Sequence, residues 1–503
     1  MTKLKNISTN PINGKAYAIP ELLDDRLNID DFLQRNNNGP VVVVQGLGFV
    51  GAVMCLVCAN SQRESYAVMG VDLPREDTFW KIRSINEGDF PVVASDPKID
   101  EYYEASMKKG NLLATYDPYA YSKADVVIVD INLDVKKQSG ESGDLEGFDV
   151  DLSGFKNAIK EIGKYCREDV FILVETTVPP GTSKNIVQPL ISESLASRGL
   201  KVDKFKVGHS YERVMPGPDY IDSIENFYRV YSGVDMKSEE EAEFFLKTII
   251  STDRYPLTKL ESTNASEMSK VLENSYRAMN IAFMVEWSRF AERSGVNLYE
   301  VIDAIKMRPT HQNMMYPGLG VGGYCLTKDP LLASWAAQNF FNYSEGLKQS
   351  EVGVMINDMM PLFAFGYLKT HLNQDDLQNK NTLLLGVSYR SNVADTRYTP
   401  VEKFYKFLKK NGSQIYLHDP FVRYWEEMKL EIENDYTVVL KNHIDIVVIT
   451  TAHSAYQGER LIECLMSFDK LFILDTVGIM SEESINKLST KHVVRALGRG
   501  DLN

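Results

Sequence analysis

The sequence predicts an α/β protein in which two domains, each built on a buried parallel sheet, are joined by a long helix. Short β-branched apolar runs alternate with helix-length segments from residue 41 to about 235, and the pattern resumes from 382 to 498. Such continuous apolar runs are typical of parallel strands covered on both faces. Between these regions, residues 260–295 lack proline and have apolar positions on more than one helical face. That pattern predicts a helix of about 30 residues, buried between domains.

These patterns divide the chain into four segments. A polar, Asn-rich extension, residues 1–38, precedes the first α/β domain, residues 39–250. A central helical domain, residues 251–372, leads through a polar linker at 371–381 to the second α/β domain, residues 373–503. The runs that predict strands are 41–44, 66–72, 124–131, 170–176 and 227–233 in the first domain, and 382–389, 414–420, 444–453, 471–478 and 492–498 in the second.

The composition argues against several classes of protein. The 503-residue chain has a formal net charge of −14 and a pI near 5.2, so we expect no nonspecific binding of nucleic acid. Five cysteines indicate free thiols in a reducing compartment, and the N-terminus lacks the apolar core of a secretory signal, so we expect a cytoplasmic protein. The uncharged run 41–60 could pass for a membrane span, but Gln45 and the glycines interrupt it. We therefore predict a buried strand and helix there, and no membrane contact.

The first predicted strand ends in the sequence "QGLGFVG", which opens an apolar helix at Phe49 and Val50. In this pattern Gly46 permits a tight turn, Gly48 lets backbone N–H groups approach a pyrophosphate, and Gly51 lets the helix pack closely on the strand. The helix N-terminus adds partial positive charge for the phosphates. The motif therefore predicts a dinucleotide-binding loop.

The next predicted strand ends in Asp72, where a carboxylate would bind the ribose hydroxyls of the cofactor. A carboxylate would also repel a 2′-phosphate, so NAD is favoured over NADP. Arg75 lies close by and keeps NADP as the alternative.

Two further groups of residues are candidates for catalysis. Lys270 and Asn274 lie one turn apart on the long predicted helix, so both can donate to a developing oxyanion. Such a pair more often marks a solvated face, but the apolar character of this helix makes a solvated face scarce. Cys325 follows a glycine-rich stretch and precedes Asp329 by one turn, which suggests a nucleophile with room for a ligand. A helix starting there would lower the pKa of the thiol.

Other candidate sites are better explained by packing. Cys55 and Cys58 fall inside the helix that covers the first sheet, and a second pair for zinc is missing. The seven histidines lack metal-ligand spacing, so we expect no metal. The basic stretch 403–412 reads as a solvated helix end.

Taken together, the motifs resemble the UDP-glucose/GDP-mannose dehydrogenase family of NAD-dependent nucleotide-sugar 6-dehydrogenases. The resemblance runs from about residue 40 to the C-terminus, and the block "GVGGYCLTKDP" is its most specific part. The matching motifs, in order, are "GLGFVG" (46–51), "ETTVPPGT" (175–182), "ERVMPG" (212–217), "EMSKVLENSYRAMNIAF" (267–283), "GVGGYCLTKDP" (320–330), "GVSYRSNVADTR" (386–397), "HDP" (418–420) and "TTAH" (450–453).

The resemblance implies two Rossmann-like domains joined by a long helix, with the active site between them and a homodimer built around the helix. It implies oxidation of the C6 alcohol of a nucleotide sugar to a carboxylate with two NAD+. Cys325 would capture the intermediate aldehyde as a thiohemiacetal, which becomes a thioester and is then hydrolysed. In this interpretation the glycines let the sugar reach the sulfur.

The resemblance also implies roles for individual residues. Lys270 and Asn274 would stabilise oxyanions at C6, and Asp329 would orient Lys270 and the hydrolytic water. Thr177 and Glu212 would surround that water and take part in proton transfer. The residues implied to contact the nucleotide sugar are Arg213, Arg308, His311, Gly322, Gly323, Tyr324 and Arg390, and those on the cofactor side are Gly46, Gly48, Phe49, Val50, Gly51, Asp72 and Arg397.

The chain departs from the family pattern at several positions. The sequence "VDINLD" (129–134) lacks the Val-Pro-Thr-Pro that commonly follows this strand, Tyr211 replaces a usual Pro, and Val477 replaces a common Arg. Arg308 or His311 would substitute for an Arg usually found before the cysteine. The motifs at 212–217 and 317–323 favour the UDP-N-acetylhexosamine branch over the UDP-glucose branch.

Two other functions remain open from the sequence. A single-step NAD-dependent 3-hydroxyacid-type dehydrogenase would use Lys270 and Asn274 without the thiol and would consume one NAD+ per turnover. A nucleotide-sugar-binding regulator without catalysis is the third reading, which the presence of Cys325, Lys270, Asn274 and Asp329 disfavours.

Overall fold

The structure is a computed structural model that describes residues 6–37, 39–92, 94–139, 145–214, 217–372 and 377–502. The chain forms two compact units. The first unit comprises residues 1–134, 150–271 and 335–343, and the second comprises residues 135–149, 272–334 and 344–503. Residues 373–376 of the predicted linker, and Met215 and Pro216 of the motif at 212–217, lie outside the described residues.

The secondary structure alternates between strands and helices along most of the chain. The strands are β1 Ile7–Thr9, β2 Ala16–Ala18, β3 Val41–Gln45, β4 Ala67–Val71, β5 Leu112–Thr115, β6 Val126–Val129, β7 Val135–Ser139, β8 Leu145–Val150, β9 Phe171–Val174, β10 Lys206–Tyr211, β11 Val230–Gly233, β12 Thr258–Lys259, β13 Asn381–Leu385, β14 Gln414–His418, β15 Tyr424–Trp425, β16 Leu430–Glu431, β17 Ile446–Ile449, β18 Phe472–Asp475 and β19 Val493–Ala496. The α-helices are α1 Arg26–Arg35, α2 Phe49–Ala59, α3 Phe79–Glu87, α4 Pro97–Lys109, α5 Ser153–Tyr165, α6 Gln188–Ser197, α7 Asp222–Glu225, α8 Met236–Ile249, α9 Thr263–Ser294, α10 Leu298–Lys306, α11 Asp329–Phe340, α12 Lys348–His371, α13 Pro400–Lys410, α14 Tyr436–Val439, α15 Glu459–Met466 and α16 Glu482–Ser489.

The first unit is built on an eight-stranded sheet in the order β12-β11-β10-β9-β6-β3-β4-β5. Its strands run parallel except at one place, where β11 pairs antiparallel to β10 with His209 opposite Ser232. The connection between these two strands contains only the one-turn helix α7 among its described residues, so it lacks the long covering helix of a parallel crossover. The first sheet is therefore dominated by parallel pairing, as the sequence predicts, with one antiparallel pairing near this edge.

The buried apolar runs formed the strands that they predict, and more polar strands escaped notice. Strands β4, β6, β9 and β11 lie within the predicted runs, and β3 extends one residue beyond its run, to Gln45. Strand β10 was missed because it carries His209 and Ser210, which are fully buried polar residues rather than apolar ones. Residues 41–60 form β3 and the buried helix α2, with Cys55 and Cys58 inside the core, as the sequence predicts.

The second unit contains a five-stranded parallel sheet in the order β14-β13-β17-β18-β19. Both of its faces are covered, because Leu383 and Leu385 of β13 belong to one apolar cluster and Leu384 belongs to another. Such alternation is the signature of a strand buried on both sides. The second predicted α/β region therefore forms the expected parallel sheet.

A β-hairpin that the sequence did not predict follows Asp134. Strands β7 and β8 form a separate two-stranded sheet, and residues 135–149 belong to the second unit although the flanking chain belongs to the first. Lys137 of this hairpin forms an ion pair with Asp358 of α12 at 2.8 Å. The hairpin begins directly after the segment 129–134, which lacks the common Val-Pro-Thr-Pro.

Helix α9 has 32 residues, close to the predicted length. Its C-terminal part in the second unit carries large apolar side chains that the sequence analysis expected to be buried. Within this chain they are instead largely exposed: Leu272 62%, Tyr276 57%, Phe283 53%, Trp287 44% and Phe290 62%. We call this set the apolar stripe of α9. Across the described ranges, every helix is too short or too polar to cross a bilayer.

Candidate active site

The glycine-rich loop after β3 has the geometry that its sequence predicts. Gly46 has a φ of +102°, and a Cβ there would lie 2.3 Å from the carbonyl oxygen of Asp130. A Cβ on Gly51 would lie 2.0 Å from the carbonyl oxygen of Gly46. A Cβ on Gly48 would have none of the described atoms within 4 Å. The first and third glycines are therefore required by packing, and the middle one leaves open space at the start of α2, where a pyrophosphate can approach.

Asp72 lies at the carboxyl end of β4, beside this loop. Its carboxylate accepts hydrogen bonds from the backbone N–H groups of Leu47, at 3.0 Å, and Leu73, at 2.7 Å. Burial nevertheless raises the pKa of Asp72 above its ordinary value. The pairing of an acidic group with an open glycine loop fits a dinucleotide, with Asp72 at the ribose and the N-terminal N–H groups of α2 at the phosphates.

Lys270 and Glu212 lie together in the first unit. The ammonium of Lys270 donates to the backbone carbonyl of Glu212 at 2.7 Å and lies 4.0 Å from the Glu212 carboxylate. It also lies 5.2 Å from the ring centroid of Tyr211. Tyr211, which replaces a usual Pro, therefore contributes a cation–π contact to the lysine. Lys270 is only 7% exposed, so it does not lie on a solvated face, which agrees with the apolar character of the helix.

Glu267 holds the loop "ETTVPPGT", which carries the half-buried Thr177. Its carboxylate accepts the backbone N–H groups of Gly181, at 2.5 Å, and Ser183, at 2.8 Å. Glu267 lies less than one turn before Lys270 on α9, so one helix turn fixes both the lysine and the loop. Burial raises the pKa of Glu267 to about 7. Glu267 is the first residue of the motif at 267–283, and its role was not predicted from the sequence.

A buried ion pair lies at the carboxyl ends of the central strands. Glu175 and Arg229 bind one another, with their side chains 1% and 2% exposed. The carboxylate of Asp130 is near enough for the negative charge of Glu175 to add to the desolvation that raises the pKa of Asp130 well above its ordinary value. Among the described residues, Asp130 Oδ2, Glu175 Oε2 and Arg229 Nη2 are buried atoms lacking a hydrogen-bond partner. Such atoms mark a place for ordered water.

Cys325 lies in the second unit, on an exposed loop before α11. The other four cysteines are less accessible: Cys55, Cys58 and Cys166 are buried and Cys464 is half-buried. The carbonyl oxygen of Cys325 accepts the N–H groups of Lys328, at 3.1 Å, and Asp329, at 2.9 Å. The thiol therefore sits one turn before the first residue of a twelve-residue helix.

Asp329 is fully buried at the start of α11. Its carboxylate accepts a hydrogen bond from Nδ2 of Asn274 at 2.6 Å and lies 3.2 Å from the ammonium of Lys328. Lys328 also lies 4.6 Å from the ring centroid of Tyr324. Within the second unit, Asn274 and Lys328 are thus the partners of Asp329. Lys328 belongs to the motif at 320–330, and no role was predicted for it from the sequence alone.

The glycines before Cys325 are explained by close packing of the second unit. A Cβ on Gly322 would lie 2.5 Å from Tyr389 Cβ, and Gly323 has a φ of +79° with Tyr389 ring atoms 2.8 Å from its Cβ position. A Cβ on Gly320 would lie 2.2 Å from Pro400 Cβ. Side chains at these positions would displace the loop 389–400. The structure therefore gives these glycines a packing role, and the ligand clearance that the sequence suggested stays a prediction.

The predicted arginine contacts are distributed over both units. In the second unit, the guanidinium of Arg397 binds Asp395 at 2.6 Å, and Arg390 and Arg308 are exposed. In the first unit, Arg213 donates to the backbone carbonyl of Tyr228 at 2.8 Å.

Of the remaining predicted residues, His311 follows α10 on a 3₁₀ turn, and its Nδ1 lies 2.9 Å from the hydroxyl of Thr310. Phe49 and Val50 are the first two residues of α2.

Three domain models of one family match the sequence. They are described as the NAD binding domain, the central domain and the UDP binding domain of the UDP-glucose/GDP-mannose dehydrogenase family, and they match residues 41–249, 264–351 and 383–482, respectively. Together they account for most of the chain and leave the N-terminal extension unmatched.

Individual relatives agree with these matches. A UDP-N-acetyl-D-mannosamine dehydrogenase from Pyrococcus horikoshii is 29% identical, covering 92% of this chain and 100% of the relative. One from Methanocaldococcus jannaschii is also 29% identical, covering 93% of this chain and 99% of the relative. The solved structure of the P. horikoshii UDP-D-ManNAc dehydrogenase superposes with a TM-score of 0.75 at 27% identity, covering 92% of this chain and 100% of that one.

Proposed function

Because the chain belongs to the UDP-glucose/GDP-mannose dehydrogenase family, we propose that it oxidises the C6 hydroxymethyl group of a nucleotide sugar to a carboxylate with NAD as oxidant. The observation that carries this proposal is the exposed thiol of Cys325, set on a loop whose neighbouring Asp329 is fixed by Asn274 and Lys328. A hydroxyacid-type dehydrogenase needs no such nucleophile.

The first unit supplies the binding site for the cofactor. The loop at Gly46, Gly48 and Gly51 would hold the pyrophosphate, and Asp72 would bind the ribose hydroxyls. When bound, NAD+ accepts the hydride that leaves C6 in each of the two oxidations. We assign Arg397 to the cofactor side on the family motif alone.

Cys325 retains the substrate between the two oxidations. Its thiolate adds to the aldehyde carbon to give a thiohemiacetal, and loss of a second hydride from that carbon gives a thioester. Water then adds to the thioester carbonyl, and the thiolate leaves as the carboxylate forms. Covalent capture prevents release of the reactive aldehyde.

Four other residues support these steps. The ammonium of Lys270, held by the carbonyl of Glu212, and the second amide N–H of Asn274 would stabilise negative charge on the C6 oxygen. The Glu212 carboxylate and the Thr177 hydroxyl would orient and deprotonate the hydrolytic water. Burial of Lys270 strengthens its electrostatic contribution, because surrounding water does not screen it.

We propose a UDP-N-acetylhexosamine as the sugar nucleotide, with UDP-N-acetylmannosamine first among them. The two relatives described above carry that name, and the motifs at 212–217 and 317–323 point the same way. Candidate contacts with the substrate are Arg213, Arg308, His311, Gly322, Gly323, Tyr324 and Arg390.

We also propose a homodimer, supported by the apolar stripe of α9, because a second copy would cover these side chains. The domain limits 39–250, 251–372 and 373–503, after the extension 1–38, are proposed as functional divisions. A cytoplasmic location is proposed from the cysteine usage of the sequence, because an odd count of five in a long chain suits a reducing compartment.

The test is NADH production by the purified protein with UDP-glucose, UDP-galactose, UDP-GlcNAc, UDP-GalNAc, UDP-ManNAc and GDP-mannose. We expect one of the UDP-N-acetylhexosamines to give the highest kcat/KM and two NADH for each sugar acid formed. One NADH per turnover would contradict the thioester route. Activity confined to UDP-glucose or GDP-mannose would contradict the assignment of the sugar.

A further inference from the structure

The N-terminal extension, described over residues 6–37, forms the β1–β2 hairpin and helix α1 within the first unit. It lies outside the segments that the family models match, the first of which begins at residue 41. Ser8 of β1 is fully buried, and so is the amide side chain of Asn10. An extension that buries polar side chains against the first unit is part of the fold, so its contacts bear on function.

The hydroxyl of Ser8 fastens the chain that follows Asp72. It donates to the backbone carbonyl of Glu76 at 2.8 Å and accepts the backbone N–H of Trp80 at 2.9 Å. Trp80 is the second residue of α3, so Ser8 satisfies one of the N–H groups that a helix start leaves unpaired. Thr78, the residue before this helix, donates from its own hydroxyl to the carbonyl of Leu73.

The segment held in this way is the loop 72–78, which connects β4 to α3. Most of it is exposed: Leu73, Arg75, Glu76 and Asp77 all face solvent. Few packing contacts therefore fix its course, which depends on hydrogen bonds within the loop, such as that from the N–H of Arg75 to the carbonyl of Leu73 at 2.9 Å, and on those at its two ends. One end is Asp72, which binds the N–H groups of the glycine loop and of Leu73, and the other is the contact with Ser8.

A second contact connects the extension to the strand beside Asp72. Thr115, the last residue of β5, donates from its hydroxyl to the carboxylate of Asp25 at 2.6 Å. The carbonyl of the same Thr115 accepts the N–H of Asp72 at 3.2 Å. The backbone N–H of Asp25 also donates to the carboxylate of Asp117 at 2.9 Å. The extension therefore reaches both sides of Asp72, through Ser8 and through Asp25.

We propose that the extension positions the loop 72–78 for binding the adenosine half of NAD, and that Ser8 and Asp25 are its positioning residues. The inference rests on the proposed role of Asp72 at the ribose. A loop that is already in its bound conformation does not lose further conformational freedom when the cofactor binds. The extension should therefore change the affinity for NAD and leave the chemistry at Cys325, which lies in the other unit, unchanged.

The test compares Ser8→Ala with the matched control Thr9→Ala in the full-length protein. Both remove one hydroxyl from the same strand, but Thr9 is exposed. Because Ser8→Ala leaves the backbone N–H of Trp80 without its acceptor, and only part of that cost is transmitted to binding, we expect KM for NAD to rise about three- to tenfold in this variant. The kcat at saturating NAD and KM for the nucleotide sugar should stay within about twofold of the unmodified protein, as should every parameter of Thr9→Ala.

The same comparison by NADH fluorescence titration measures binding without turnover. An unchanged NADH Kd in folded Ser8→Ala would overturn the inference, and so would an equal rise in KM for the nucleotide sugar. If Ser8→Ala fails to fold, Asp25→Ala decides by the same criteria. Asp72→Ala tests separately the premise that Asp72 binds the ribose. An unchanged NAD affinity in that variant would remove this role of Asp72. If Asp72→Ala loses affinity while Ser8→Ala and Asp25→Ala bind NAD normally, only the positioning role of the extension is rejected.

Discussion

Asn274 donates from Nδ2 to Oδ2 of Asp329 across 2.6 Å, which connects α9 to the first turn of α11. Asp329 is fully buried, and its second oxygen lies 3.2 Å from the Lys328 ammonium. Each oxygen of the carboxylate thus has its own donor. The orientation of Asn274 and the position of the helix that follows Cys325 therefore depend on one negative charge.

We expect Asp329→Asn to reduce both stability and activity. The change leaves the buried ammonium of Lys328 without its anion, which should lower the free energy of unfolding by about 3 kcal/mol. It also turns Asn274 away from its present orientation, so kcat should fall about a hundredfold. Urea unfolding and NADH production measure the two effects. The exposed Asn339→Asp is the control, and an Asp329→Asn variant with normal kcat would contradict the positioning of Asn274.

Cys325→Ser should abolish formation of the sugar acid while leaving cofactor binding intact. A serine hydroxyl is a far weaker nucleophile at neutral pH, so the rate of acid formation should fall by at least about a thousandfold. Chromatography of the product and NADH fluorescence titration separate catalysis from binding. Cys464→Ser, at a half-buried cysteine, is the control. Undiminished acid output from Cys325→Ser would eliminate the thioester.

The stability of the protein should depend on Glu267 between about pH 4.5 and 7. Burial raises the pKa of Glu267 to about 7 in the folded state, so between these values the folded protein holds a proton that the unfolded chain has lost. A raised carboxyl pKa therefore lowers stability as the pH rises through this window. In Glu267→Gln this loss should be smaller by about 3 kcal/mol, measured by urea unfolding at pH 4.5 and 7.5. The exposed Glu104→Gln should keep the original dependence; identical profiles for all three proteins would refute the expectation.

Removing one partner of the buried ion pair Glu175–Arg229 should lower the stability of the protein more than removing both. Arg229→Met leaves the Glu175 carboxylate uncompensated beside Asp130, and we expect the free energy of unfolding to fall by about 3–5 kcal/mol. The double variant Glu175→Leu with Arg229→Met should recover most of that loss, because both charges are gone. Equal losses in the single and double variants would show that packing, not charge, is responsible. The exposed pair Arg63–Asp253 should contribute less than about 1 kcal/mol in the same assay.

The apolar stripe of α9 should control assembly. Phe290 is 62% exposed in the single chain, and Phe290→Glu would place a charge within any interface that covers it. Sedimentation velocity should therefore show a dimer for the unmodified protein and a monomer for this variant at micromolar concentration. Leu22→Glu, at a leucine of the extension that is 79% exposed, should leave the dimer unchanged. A monomeric unmodified protein would exclude the dimer.

Regular patterns in the sequence predicted more of the fold than of the candidate site. The apolar run of β3 and the uninterrupted length of α9 each reflect local periodicity, which a sequence displays directly. The antiparallel pairing of β11 and the burial of His209 depend on contacts between distant segments, which periodicity does not encode. For the same reason the packing role of Gly322, set by Tyr389, could not be inferred from the sequence.

The site shows the same division. The glycine loop was recognisable because each of Gly46, Gly48 and Gly51 has a fixed role at a fixed spacing. Glu267 escaped attention because its function lies in two backbone N–H groups more than eighty residues away in sequence. Tyr211 was noted as a departure, and only the structure provides a reason for it, in the ring below Lys270.

The hairpin β7–β8 belongs to the second unit while the residues on either side of it belong to the first. The boundary between the units is therefore crossed repeatedly along the polypeptide, and neither one corresponds to a contiguous stretch of the gene. A cut at any peptide bond between residues 135 and 343 would leave both units incomplete, so separately expressed halves divided there should be recovered as insoluble or proteolysed fragments. Recombination between relatives should likewise succeed only when the hairpin and α12, joined by Lys137 and Asp358, are inherited from the same parent.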